Sequence, residues 1–323
     1  MDVSVIIPAY ESSLFIARTL ASVFAQTHTG FEVIVVNDGS PDTDALLQAI
    51  EPWRERLVYL SQPNAGAGAA RNAGISAAHG RYLAFLDADD LWREDFLERQ
   101  LGFLAAHPEV DLVYCDALLA GDSPLAGRRF MDTAPSDGEV TLEALITQRC
   151  TVLTSGVMTK RTAVASAGLF DPAIRRGQDF DLWLRLAHAG YRLAYQREPL
   201  VTRQIHADSL SGDAVAELER ARHVLEALPR KVPLIAATRD ALERRVRTLR
   251  AATELERGKQ RFRDRDFAGA RRHLRASAAL ALRWKLRAAV LALTLVPRLL
   301  HRVYVRQHPR GMSPGPRISP SGA

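Results

Sequence analysis

The sequence predicts an α/β fold in which a mostly parallel, mixed sheet is flanked by helices and followed by an α-helical C-terminal extension. Three observations carry this expectation. Short β-branched runs alternate with helix-patterned segments through the first part of the chain. The apolar runs end in turn residues and carboxylates, as strands of an open sheet do where ligands bind. Charge then divides the chain: from Asp213 to the end 25 Lys and Arg face 10 Asp and Glu, whereas the preceding residues carry 18 against 27, within a net charge of +6. An acidic first part is thus joined to a basic tail, and the two parts are expected to face different partners.

The elements follow in order. VSVIIPAY (3–10) is a β-branched run stopped by Pro8, and SLFIARTLASVFAQ (13–26) places its apolar residues at helical spacing. FEVIVVNDGS (31–40) is a second strand closed by turn residues, and DTDALLQAIEPW opens a helix with Asp42 or Thr43 near its N-cap. LVYLSQ (57–62), AGAARNAGISAA (67–78) and RYLAFLDADD (81–90) then read as strand, helix and strand, and LWREDFLERQLGFL as the next helix. VDLVYCDALLA (110–120) is expected as a strand passing into a turn-rich, mobile loop, SPLAGRRFMDTAPSDG. TLEALITQRC is helical, and TVLTSGVMTKRTAVASAG supplies a strand and helix to line a cleft.

The tail reads as successive Arg- and Ala-rich helices, one pair of which faintly resembles a single tetratricopeptide hairpin. Its apolar run from Ala288 to Pro297 is about half the roughly 20 residues that a membrane-spanning helix needs. Basic residues flank that run, so the segment 284–306 fits a helix lying on an anionic membrane surface; a core helix of a small bundle, or a partner-binding helix, is the alternative. The final QHPRGMSPGPRISPSGA has the composition of a disordered tail. Boundaries are therefore expected at 1–212 for the α/β domain, 213–308 for the basic helical region and 309–323 for the tail.

Composition narrows the function classes. Only Cys115 and Cys150 are present, without a CxxC pair, which argues against a disulfide framework or a cysteine metal site. The opening MDVSVIIPAY has no basic stretch followed by a long apolar one, so a cytoplasmic start is expected. The basic tail lacks interleaved aromatics or a reading motif, and its charge licenses only nonspecific attraction to nucleic acid.

The chemistry gathers at the strand ends. FLDADD places Asp87, Asp89 and Asp90 directly after an apolar strand, where carboxylates repel one another unless a divalent cation binds them and carries a polyanion on its other face. Oxygen ligands at this spacing suit Mg²⁺ or Mn²⁺. Alone, D-x-D also reads as a solvated turn capping the next helix.

Four stretches in this order, VSVIIPAY, VIVVNDGS, NAGAGAARNAG and FLDADD, resemble the family 2 inverting glycosyltransferases of the GT-A, Rossmann-like fold, over roughly residues 1 to 210. GQDFDLWLRLAHAG (177–190) resembles that family's acidic motif and Leu-Trp helix, and IHADSLS (205–211) its late His-containing loop. The resemblance implies that Asp38 binds the base of the donor nucleotide beside a wall formed by Pro8, Ala9 and Tyr10. It brings Arg71 and Asn72 to the donor phosphates, Asp87 and Ala88 to the ribose side, and Asp89 and His206 to the metal. A structural or helix-capping role for His206 stays open, as does a capping or supporting role for Asp90. Arg203 is a further candidate for the diphosphate.

Asp179 matches the family's catalytic carboxylate, the base that takes the acceptor hydroxyl proton. Gln178 stands where Glu usually precedes it. Asp181 is the rival carboxylate, read otherwise as an exposed helix residue, and Trp183 as packing. The resemblance implies a metal-dependent transfer with inversion from a nucleotide-diphosphate sugar, a UDP-sugar being favoured, to a glycan or glycolipid acceptor at the cytoplasmic membrane face. No QxxRW pattern follows the base, so one sugar per encounter is expected. A catalytically silent scaffold of the same fold is the competing expectation, along with nonspecific nucleic-acid binding by the tail.

Overall fold

The computed structural model describes residues 1–205, 214–281, 284–298 and 300–302, with side chains at all of these except 284–287 and 289. The chain divides into two compact units, Met1–His206 and Ala207–Ala323.

The first unit is built on β1 (Val3–Ala9), α1 (Ile16–Phe24), β2 (Phe31–Asp38), α2 (Thr43–Ile50), β3 (Val58–Gln62), α3 (Ala67–Ala77) and β4 (Tyr82–Phe85). Next come β5 (Leu91–Trp92), α4 (Phe96–Ala106), β6 (Leu112–Gly121), α5 (Leu142–Ile146), β7 (Met158–Lys160), α6 (Arg161–Ser166), α7 (Gln178–His188) and β8 (Leu193–Ile205). Eight strands form one sheet in the order β3-β2-β1-β4-β7-β6-β8-β5. The first four are mutually parallel, β7 runs antiparallel to both β4 and β6, and β6 and β8 are parallel to each other. This is the mixed, mostly parallel sheet that the alternating pattern predicts.

Period-two alternation assigns the faces. Val3, Val5, Ile7 and Ala9 of β1, with Val33 and Val35 of β2, pack into a cluster with Ile16 and Leu20 of α1, Leu46 and Ile50 of α2, and Phe96 of α4. On the opposite face, Phe85 meets Phe170 edge-on at 5.4 Å between ring centroids, and both rings contact Trp183 of α7. Trp183 is accordingly a core residue, 1% exposed. A side chain at Gly74 would come within 2.6 Å of Ile6, so this glycine lets α3 lie directly on β1. β1 pairs with β4 only as far as Ile6, which leaves Pro8 beyond the end of that ladder.

Two element boundaries differ from expectation. The strand expected over 81–90 ends at Phe85, and Asp87–Asp90 form a turn whose Asp90 N–H donates to the Asp87 carbonyl at 3.1 Å. Leu91 and Trp92 are not the start of a helix. They pair antiparallel with Thr202 and Val201 of β8, because Trp92 stacks on Phe96 and its indole N–H donates to the Ser155 carbonyl at 2.7 Å, and the helix begins at Phe96. The loop expected to be mobile, after β6, is tied to it: the Asp116 carboxylate accepts from Arg129 Nε at 2.7 Å and from the Met131 N–H at 2.9 Å.

The second unit holds α8 (Ala214–Lys231), α9 (Ala236–Arg263), α10 (Phe267–Ala281) and α11 (Trp284–Leu295). α9 and α10 form one hairpin, in which Gly258 admits Leu274 closely and Ser277 Oγ donates to the Ala251 carbonyl at 2.7 Å. Among the described residues no helix is long and apolar enough to cross a membrane.

Candidate functional site

The parallel strands β1, β2 and β4 end side by side, which brings Pro8–Tyr10, Asp38 and the Asp87–Asp90 turn to one edge of the sheet. Tyr10 is 47% exposed there, Pro8 half-buried and Ala9 buried. The chain after Tyr10 is held to the β2 turn: the Glu11 N–H donates to Ser40 Oγ at 2.6 Å, and the Ser13 N–H to the Asp42 carboxylate at 3.0 Å.

Asp38 is 3% exposed and already heavily engaged. Its carboxylate accepts from Gln62 Nε2 at 2.7 Å, the Ala65 N–H at 2.9 Å and the Gly66 N–H at 2.8 Å, tying the end of β2 to the loop that opens α3. Gly39 has a φ of +64°, and a side chain on it would strike the Asn64 backbone nitrogen, so the turn demands glycine.

Arg71, on α3, lies against the acidic turn. Its Nη2 donates to Asp87 Oδ1 at 2.6 Å and its guanidinium lies 5.5 Å from the Phe170 ring centroid. The side chain is only 4% exposed, and among the described residues its Nε and Nη1 have no hydrogen-bond partner. A buried cation with idle donors is costly unless an anion completes it. Asn72 does not join this cluster. Its amide pairs in both directions with the backbone of Phe170, at 2.8 and 3.0 Å, and so locks α3 to that segment.

Within the acidic turn the environments diverge. The Asp87 carboxylate is 43% exposed, Ala88 is buried with its carbonyl accepting from Thr19 Oγ1 at 2.8 Å, and Asp89 is partly exposed. Asp90 faces inward and is 3% exposed; it caps no helix, but accepts from Ser155 Oγ at 2.6 Å and the Gln204 N–H at 2.9 Å. Burial, together with the negative Asp87 and Asp89, pushes its carboxyl up to about 8. Among the described residues no group of three or more His, Cys, Asp or Glu side chains converges on a metal-sized point. His206 lies outside the described residues.

α7 is entered through its N-cap residue Gly177, whose φ of +82° turns the chain into the helix. Asp179 in its first turn is partly exposed; its Oδ2 accepts from Thr154 Oγ1 at 2.8 Å and its Oδ1 from the Phe180 N–H at 2.8 Å. Asp181 is not an exposed helix residue: it is fully buried, pairing with Arg185 Nε at 2.8 Å while that guanidinium also donates to the Ala167 and Leu169 carbonyls. This placement removes Asp181 as a rival base and makes it an anchor of α7. Gln178 is 7% exposed, packs against Gly68, and its Oε1 has no partner among the described residues. The Arg203 guanidinium sits 5.3 Å from the Phe130 ring centroid.

Sequence reasoning did not single out Thr154 and Ser155. Small hydroxyl residues in a T-S-G turn carry no spacing that marks them, and only the folded chain brings them against Asp179 and Asp90.

Comparison with known proteins agrees with this geometry. Residues 4–147 match the family model for glycosyl transferase family 2, and residues 82–306 that for glycosyl transferase family group 2. TuaG of Bacillus subtilis, a glycosyltransferase named for teichuronic acid biosynthesis, is 34% identical over 219 residues, which are 65% of this chain and 82% of TuaG. WfaP of Escherichia coli, a UDP-Glc:α-D-GlcNAc-diphosphoundecaprenol β-1,3-glucosyltransferase, is 29% identical over 228 residues, 70% of this chain and 86% of WfaP. Two solved structures share the fold. Staphylococcus aureus TarS 1–349 in complex with UDP-GlcNAc superposes with a TM-score of 0.60 at 19% identity, over 95% of this chain and 92% of that one. The Pyrobaculum calidifontis mannosyltransferase PcManGT, bound to GDP-Man and Mn²⁺, does so with a TM-score of 0.59 at 18% identity, over 95% and 87%. Against the longer TarS chain, the protein spans 55% of the length. With its sheet order, strand-end carboxylates and matching family models together, the chain belongs to glycosyltransferase family 2, enzymes of sugar transfer built on the GT-A fold.

Proposed function

We propose that the protein is an inverting, metal-dependent glycosyltransferase that moves one sugar at a time from a UDP-sugar to a glycolipid or cell-surface polysaccharide precursor. The observation that carries this reading is Arg71, buried beside Asp87 with two of its nitrogens, Nε and Nη1, left unpaired among the described residues. A forked guanidinium is suited to a diphosphate, and the carboxylates next to it are suited to the cation that accompanies one.

The roles follow from position. Tyr10, with Pro8 and Ala9, offers a partly exposed ring for a nucleotide base at the end of β1. Asp38 accepts three bonds from the protein, and since a carboxylate has about four acceptor positions it retains one for a base N–H. Asp87 and Ala88 lie on the ribose side. Asp89, with His206 as a further ligand, would hold Mn²⁺ or Mg²⁺; such ions are usually bound by one or two carboxylates plus substrate phosphates. Bound there, the ion would stabilise charge on the departing diphosphate.

Asp179 takes the acceptor hydroxyl proton as the new bond forms on the face opposite the diphosphate, and the anomeric configuration inverts. Thr154 and the Phe180 N–H fix its orientation. Replacement Asp179→Asn keeps the shape and removes the base. UDP release from UDP-glucose and UDP-GlcNAc should fall roughly 100- to 10,000-fold while nucleotide affinity stays near wild type. Undiminished turnover in that variant would remove Asp179 as the base, whereas a wild-type chain that turns over neither donor would return the chain to the scaffold reading.

The names of WfaP and TuaG support an acceptor that is lipid-linked or part of an envelope polymer. The tail fits the same setting. On α11, Val290 and Leu293 are buried, whereas Leu291 and Leu295 are 62% and 70% exposed, and Arg298 and Arg302 beyond the end of the helix are exposed as well. Exposed leucines flanked by arginines suit the anionic inner surface of a cell membrane, where the lipid-linked acceptor would be met.

A further inference from the structure

Three consecutive residues between α5 and β7 connect parts of the site that lie far apart in sequence. Thr154, Ser155 and Gly156 form a single 3-10 turn and are all buried, Ser155 completely. Thr154 Oγ1 donates to Asp179 Oδ2 at 2.8 Å. Ser155 Oγ donates to Asp90 Oδ2 at 2.6 Å and also accepts the Asp87 N–H at 3.2 Å. The Ser155 carbonyl takes the Trp92 indole N–H at 2.7 Å. Gly156 fits against Cys115 of β6, where a side chain would come within 3.0 Å of the Sγ, and its carbonyl accepts from Gln100 Nε2 at 2.6 Å. Each residue of the turn is thus fixed on a different neighbour.

We propose that the Thr154–Ser155 turn is a positioning device, in which Thr154 holds the Asp179 carboxylate and Ser155 holds the Asp87–Asp90 turn, so that base and donor site keep one spacing. This deepens the proposed function and rests on its assignment of Asp179 as the base. The physical need is clear. In a single displacement, base, acceptor oxygen, anomeric carbon and leaving group share one alignment, and a displacement of about 1 Å can cost roughly 100-fold in rate. Asp179 is on α7 and the acidic turn follows β4, elements with no hydrogen bond between their carboxylates among those described. A rigid turn bonded to both meets that need with two hydroxyl groups. Thr154 also leaves acceptor capacity on Asp179 Oδ2, because a carboxylate oxygen has two lone-pair sites. A proton can therefore still be received on an oxygen whose direction is fixed.

The two halves of the device make separable predictions. Thr154→Val preserves shape and removes only the donor to Asp179, so kcat for UDP release from UDP-GlcNAc should fall about 10-fold or more, with KM and Mn²⁺-supported UDP affinity within about twofold of wild type. Thr154→Ser restores the hydroxyl and should recover most of kcat. Ser155→Ala acts on the other side, weakening UDP affinity in the presence of Mn²⁺. Thermal melting of the full-length chain accompanies each variant, and Thr154→Ser against Thr154→Val stays decisive even where Ser155→Ala does not fold. Unchanged kcat in Thr154→Val, or a Thr154→Ser variant as slow as Thr154→Val, overturns the proposal while leaving the proposed function intact. A wild-type chain that releases no UDP from the donor overturns both.

Discussion

The two units of the chain handle charge in opposite ways. In Met1–His206 three carboxylates, Asp38, Asp116 and Asp181, are each no more than 3% exposed and are met by backbone N–H groups or a guanidinium, while the equally buried Asp90 is held toward its neutral form. In the helical unit, Glu219, Glu226 and Glu254 are 36%, 30% and 23% exposed and pair with arginines along and across helices, as in Glu226 with Arg222 and Arg250. Removing a buried charge from water is expensive, so its position is informative; an exposed pair costs little and says little. This is why a +15 surplus in the tail names no partner by itself, whereas a buried Arg71 with two nitrogens idle among the described residues points to an anionic ligand.

That contrast can be broken by mutation, beginning where the effect is largest. Asp181→Ala strands Arg185 in the interior and should cost about 3–5 kcal/mol of stability, read as a lowered denaturation midpoint of the first unit. A cost under about 1 kcal/mol would mean that the pair does not anchor α7. Next in size, replacing Leu291 and Leu295 together by Ser should cut binding to phosphatidylglycerol vesicles about tenfold, with UDP release from the donor unaffected. Equal binding to purely neutral vesicles would dismiss the electrostatic part of the membrane reading. Smallest is Glu226→Gln, which breaks two exposed ion pairs and should shift stability by less than about 1 kcal/mol. A larger loss would show that the tail's surface charges are organised after all.

Much of the first unit was legible because its physics is local. β-branched runs marked β1 and β2, an apolar run ending in carboxylates marked β4, and their parallel order placed Tyr10, Asp38 and Asp87 on one edge. Asp179 was reached through its motif, and the fold puts it in the first turn of α7. Less legible were features decided by contacts distant in sequence. Leu91 and Trp92 carry a helical pattern, yet pairing with β8 and the Trp92 bond to Ser155 override it. Asp181 reads as solvated until Arg185 and the Ala167 and Leu169 carbonyls enclose it. Thr154 and Ser155 left no trace in composition or spacing, since their importance lies wholly in partners 25 and 65 residues away.

The central claim is that the strand-end cluster of Asp38, Arg71 and Asp89 is a metal-assisted site for a nucleoside diphosphate. Isothermal titration of the full-length protein with UDP, GDP and dTDP, with and without Mn²⁺, for wild type and Asp89→Asn tests it most directly. The account predicts Mn²⁺-dependent binding of UDP in preference to the others, weakened at least tenfold in Asp89→Asn, about the loss expected for one charged contact. Absence of binding to all three nucleotides, or UDP affinity indifferent to both Mn²⁺ and the substitution, would contradict it.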